Sequence, residues 1–125
     1  MIAYKVVRRN EDGELGSAFA SFRYVLDKPN RTDNGTPLLA FATRRQAMDF
    51  AASLLYSQGD PPTWELWECE VNDEAYCVDW LCSATQRNWP DFWKTQAVYP
   101  AVYPRKHAPS GTIACEWIRL TEKTA

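Results

Sequence analysis

Apolar and polar side chains alternate from the start of the chain. Ile2, Tyr4 and Val6 fall on one side and Ala3, Lys5 and Val7 on the other, so residues 2–8 read as a strand. The polar run Asn10-Glu11-Asp12-Gly13-Glu14 is a turn signal with Asp-Gly at its centre. Alternation resumes over 17–26, where Ala18, Ala20, Phe22, Tyr24 and Leu26 share a face. The two runs predict a hairpin.

Residues 27–37 are polar and rich in Pro, Asn and Asp, and their Asn34-Gly35 step suits a loop that needs positive φ. The run 38–42 is apolar throughout, which predicts a central strand covered on at least one face. Thr43-Arg44-Arg45-Gln46 then fits a capping box, with Thr43 as N-cap and Gln46 reaching back to the Thr43 amide. The helix it opens runs from Arg44 to about Ser57. Ala47, Phe50, Ala51 and Leu54 form its buried stripe at i, i+3, i+4 and i+7. Gly59 offers a stop and Pro61-Pro62 forbids continuation.

Trp64–Val71 reads as a strand with Trp67, Cys69 and Val71 on one face and Trp64, Leu66, Glu68 and Glu70 on the other. Tyr76–Cys82 reads as the next strand, joined to it in a hairpin through Asn72-Asp73-Glu74. A short helix is predicted to start at Pro90. Ala-Val-Tyr-Pro then occurs twice, at 97–100 and 101–104, and Pro every four residues favours extended or polyproline-like backbone. Pro109-Ser110-Gly111 turns the chain into a last strand, 112–120, with Ile113, Cys115 and Trp117 on one face and Ala114, Ile118 and Leu120 on the other. The expected fold is therefore α+β: one domain over 1–125, with a single mixed or mainly antiparallel sheet of five to six strands and one principal helix on one face.

Composition supports a packed domain. Apolar residues make up 46% and charged residues 24% of 125 positions, which excludes disorder for the chain as a whole. A net charge of −2 gives no broad attraction for nucleic acid or anionic membranes, and no apolar stretch is long enough for a membrane helix. Met1–Arg9 lacks the layout of a signal peptide, so a cytoplasmic setting is expected. The four cysteines, 69, 77, 82 and 115, form no C-x-x-C pair and match no zinc pattern with His107, the single histidine. They are read as reduced, small hydrophobes.

The five glycines are scattered among turns, so neither a phosphate loop nor a dinucleotide fingerprint is present. A Cys–His nucleophile would need His107 beside a cysteine, and no motif supports it. Glu68 and Glu70 form a same-face carboxylate pair, read either as a solvent-facing strand edge or as an acid–base pair. The most function-like stretch is Arg87–His107. There Trp89, Phe92, Trp93, Tyr99 and Tyr103 mix with Arg87, Lys94, Arg105, Lys106 and His107. Aromatic anchors beside cations suit a protein–protein surface, and also the stacking of a nucleotide base or plain local packing.

Tyr4-Lys5-Val6-Val7, then Phe41-Ala42-Thr43 followed by Ala47 and Phe50, and finally Pro109-Ser110-Gly111-Thr112 resemble small uncharacterised proteins of phages and mobile elements. That resemblance implies a viral accessory or anti-defence role and assigns no catalytic residue. Phe41, Thr43 and the Glu68-Cys69-Glu70 triplet are also similar to the strand–Thr–helix unit and Glu-x-Glu of ADP-ribosyltransferase-type folds, which implies nucleotide handling.

The leading expectation is a non-enzymatic binding protein that occludes a protein partner, without metal or cofactor. Its contact residues are expected to be Trp89, Trp93, Tyr99, Tyr103, Arg105, Lys106 and His107. The alternative is a nucleotide-binding or ADP-ribosyltransferase-like protein.

Overall fold

The structure, a computed structural model, describes residues 1–17, 22–33, 35–57, 64–82 and 105–124, with the side chains of 54–57, 81–82 and 105–106 outside that description. Among the described residues it is an α+β fold with one helix and antiparallel strand pairing. The strands are β1 (Ile2–Arg9), β2 (Leu15–Ser17), β3 (Arg23–Tyr24), β4 (Leu38–Phe41), β5 (Trp64–Val71), β6 (Tyr76–Cys77), β7 (Trp80–Cys82), β8 (Arg105–His107), β9 (Thr112–Cys115) and β10 (Ile118–Lys123). Eight of them form one sheet with the order β10-β5-β1-β4-β9-β6, β2 adding to β1 and β3 to β2; β7 and β8 pair separately. The expected five to six strands are therefore exceeded.

Three predicted strands, each interrupted, account for most of the excess, and β8, in a stretch not predicted as a strand, for the rest. The 17–26 run is represented by β2 and β3, the 76–82 run divides into β6 and β7, and the 112–120 run divides into β9 and β10. The predicted hairpin of β1 with the following strand is present, with Val7 opposite Ser17 and Arg9 opposite Leu15. The predicted hairpin between 64–71 and 76–82 is not. Both edges of β5 are taken, by β1 and β10, and β6 pairs with β9 instead. Residues 72–75 thus carry the chain between distant parts of the sheet.

The link between β9 and β10 dictates the shape of the core. Cys115 ends one strand and Ile118 begins the other, and three residues of extended chain reach roughly 10 Å. In a flat sheet β9 and β10 would stand four strand spacings apart, roughly 19 Å. The sheet must therefore fold over on itself, and the pivot is the β1–β4 contact, whose register holds the single pair Tyr4–Phe41. Leu38, Ala40, Ile113 and Cys115 from one half then cluster with Ala3, Val7, Cys69, Val71, Ile118 and Leu120 from the other. Burying the Leu, Ile and Val side chains among them stabilises the fold by roughly 1.5–3 kcal/mol each.

Helix α1 (Arg44–Ser57) covers the outer face of the pivot, as its apolar stripe predicts. Ala47, Phe50 and Ala51 pack on Val6, Phe41 and Leu66, and the Phe41 and Phe50 rings lie 5.1 Å apart. Leu54 of the predicted stripe, Gly59 and Pro61-Pro62 fall outside the described side chains or residues. Thr43 is the N-cap: its Oγ1 accepts from the Gln46 amide at 3.2 Å. The reciprocal half of the predicted capping box is altered, since the Gln46 Oε1 accepts from the Thr43 hydroxyl at 3.0 Å rather than from the Thr43 amide. The Gln46 side chain lies against Gly111, whose φ is +84°. Among the described residues no helix is long and apolar enough to cross a membrane.

Candidate partner-binding site

Beyond β6 the chain leaves the main sheet as a two-stranded arm. Val78 donates its amide to Thr112 O at 3.0 Å and Ala108 donates to Asp79 O at 2.9 Å, which carries the β6–β9 pairing outward into β7 and β8. In the arm Trp80 faces His107, Leu81 faces Lys106 and Cys82 faces Arg105. Val78, Ala114, Leu39 and Ala108 form a small apolar cluster that fixes its base to the sheet. The direct pairing of Trp80 and His107 lets the two rings stack, with centroids 4.1 Å apart and planes 27° from parallel. The Trp80 side chain is half-buried and that of His107 is exposed.

The arm thus places Arg105, Lys106 and His107, three of the seven predicted contact residues, on one short strand. Trp89, Trp93, Tyr99 and Tyr103 belong to the sequence between β7 and β8 and lie outside the described residues, as do the predicted helix at Pro90 and the Ala-Val-Tyr-Pro doublet.

The carboxylates singled out in the sequence sit elsewhere. Glu68 and Glu70 lie on β5, an interior strand rather than an edge, on the face that carries Leu66 and Trp64. Glu68 is opposite Tyr4, which is itself opposite Phe41, so these three form one row across the pivot. Glu70 lies 3.6 Å from Arg119, both half-exposed. Thr43 is occupied as the helix cap. Cys69 and Cys115 are buried free thiols, as small hydrophobes should be, whereas Cys77 is exposed. Among the described residues no group of three His, Cys, Asp or Glu side chains is placed to hold a metal ion.

Two buried charges escaped the reading of the sequence. Lys5 is only 5% exposed; its Nζ donates to Leu39 O at 2.6 Å and to Ser17 Oγ at 3.4 Å, and lies 5.7 Å from the centre of the Tyr24 ring. Burial pushes its pKa down to about 8, while burial raises the Cys69 and Cys115 thiols on the same interior face to about 12. The Tyr24 hydroxyl is buried beside them, with no hydrogen-bond partner among the described residues. Glu65, equally buried, accepts from Arg9 Nε at 2.6 Å, Arg9 Nη2 at 2.9 Å and Trp67 Nε1 at 3.0 Å. The bonds from Arg9 hold its carboxyl below the usual range. The available signal for Lys5 was its place between Ala3 and Val7 on an apolar strand face.

No family model, curated protein or solved structure matches the chain.

Proposed function

We propose that the chain is a non-enzymatic binding protein that occludes a protein partner, with Trp89–His107 as its contact surface. The observation that carries this reading is the arm, which holds the cationic strand Arg105–His107 outside the eight-stranded sheet and braces it with the Trp80–His107 stack. A braced ribbon lowers the ordering cost of binding, and Arg, Trp and Tyr dominate the energy of protein interfaces. The setting that fits is the cytoplasm of a host cell, where a viral accessory protein would block a defence component.

The test is a pull-down that yields the partner, followed by affinity measurements on alanine variants of Trp93, Tyr99, Tyr103 and Arg105. Truncating a central anchor is expected to cost about 2 kcal/mol or more, roughly thirtyfold in Kd. Unchanged affinity in all four variants overturns the proposal. Native mass spectrometry of gently purified protein is the companion measurement, since a retained nucleotide mass would favour the nucleotide-handling alternative.

A further inference from the structure

A second surface lies where β6 meets the loop over residues 31–37. It is an open groove of about 350 Å³, floored by Ala114 and Cys115 and walled by Arg31, Glu74, Tyr76 and Glu116. Most of its polar groups are committed to one another. Arg31 Nη1 donates to Glu116 Oε1 at 2.6 Å, which neutralises the groove's one cation. The Glu116 amide donates to Asn72 Oδ1 at 2.7 Å, and the Thr32 hydroxyl donates to Thr36 O at 2.6 Å.

Glu74 is different. It is exposed, and its carboxylate makes no hydrogen bond or ion pair among the described residues. Two positions along stands Tyr76, with 51% of its surface exposed although it belongs to a strand. β6 is also the terminal strand of the sheet order, and both of its residues face solvent. An uncommitted carboxylate, an open aromatic face and the half-buried Pro37 therefore line one groove.

We propose that this groove takes a lysine or arginine side chain presented by a protein partner. The carboxylate of Glu74 supplies the counter-charge, the Tyr76 ring a cation–π face, and the half-buried Pro37 a contact for the methylene stem. An anionic guest would meet Glu74 and Glu116 together. A purely apolar guest would strip water from Glu74 without replacing it. The groove is distinct from the arm and does not depend on the arm's role.

The test is a titration of the isotopically labelled protein, followed by amide chemical shifts, with capped Gly-Lys-Gly and Gly-Arg-Gly peptides and the norleucine analogue as the uncharged control. The cationic peptides are expected to give saturable shifts at Asn72–Cys77 and Ala114–Glu116, with the norleucine peptide several-fold weaker. Glu74→Gln and Tyr76→Leu should each weaken the cationic peptides roughly three- to fivefold while leaving the amide positions of β1 unchanged. Equal binding of norleucine, the absence of saturable shifts at the groove, or unchanged affinity in Glu74→Gln overturns the proposal. Because neither variant touches the arm, failure here leaves the arm reading standing, and failure of the arm variants leaves this one.

Discussion

The Lys5 amine, carried by β1, donates a 2.6 Å hydrogen bond to the carbonyl of Leu39 on β4. Leu39 lies two residues from Phe41, at the point where β4 parts from β1 and β2 takes over the same edge of β1, from Val7 onward. In the gap of this fork a side chain does what strand pairing does elsewhere, and the contact to Ser17 Oγ ties in β2 as well. A buried backbone carbonyl needs a donor, which explains a lysine at a position flanked by Ala3 and Val7.

The buried amine gives stability a distinctive pH dependence. The folded-state pKa of Lys5, about 8, lies below the 10.5 of an ordinary lysine, so the folded state pays for the charge at every pH below 8. Between pH 8 and 10.5 the unfolded chain binds more protons and this penalty is relieved, by at most about 3 kcal/mol. Cys69 and Cys115 act in the opposite sense. Their thiols are raised from 9 to about 12, so they remove stability as pH rises above 9. In Lys5→Met the thiols remain and the amine is gone. Urea titrations from pH 7 to 10 should show the wild type gaining on Lys5→Met as pH rises. Parallel curves would show that Lys5 is not charged in a buried site.

Arg9 and Glu65 should dominate the acid side. Arg9→Ala leaves the buried Glu65 carboxylate with only the Trp67 donor and the distant Lys123, 3.9 Å away. Arg9→Ala should therefore lower the denaturant midpoint at pH 7. Glu65 has a lowered folded pKa, so its contribution is present above 4.5 and is lost as pH falls further. In Arg9→Ala the fall in stability below pH 4.5 should be smaller, because the folded carboxyl loses the lowering that Arg9 supplies. Denaturant midpoints between pH 3 and 7 measure both effects.

Asn30 is expected to be among the most sensitive polar positions. Its side chain accepts from Val25 N and donates to the carbonyls of Val25, Lys28 and Ile118, while its backbone bridges Ile118 in both directions. Asn30→Ala removes the side-chain bonds from a residue that is 5% exposed, at a cost of about 3 kcal/mol. Asn30→Asp restores the acceptor but not the donors and should recover only part of the loss. Thermal unfolding of the two variants gives the ranking.

Gly111 tests the junction of the helix cap and the arm. It donates no side chain, holds φ at +84°, and a Cβ there would overlap the Gln46 side chain. Gly111→Ala should destabilise by about 1–3 kcal/mol. Adding Gln46→Ala relieves the overlap but not the backbone strain, so the double variant should recover part of the loss and no more.

The elements legible in the sequence were those whose evidence is local. The 44–57 helix carries its own cap and stripe, and β1 and β4 carry their own apolar patterns. Partner choice was not legible, because Trp64–Val71 has the same alternation whether it pairs with 76–82 or with β1 and β10. One clue lay in the final strand. Ile113 and Cys115 face the core at odd positions, whereas Ile118 and Leu120 face it at even ones. Alternation must slip between them, and the slip falls at Glu116-Trp117, where the strand breaks. Arg105–His107 stood out by composition alone, and the structure places it on one strand of the arm; the groove at Glu74 and Tyr76 was not legible, since its walls come from segments some forty residues apart and are joined by folding.

The two-residue step from β9 to β10 also has a temporal side. β9 closes the half built on β4, whereas the half built on β5 stays open until β10 is available through Lys123. A nascent chain stopped before that point would display β5 unpaired along one edge, an invitation to aggregation. Closure of the core therefore waits on β10, the last strand along the chain.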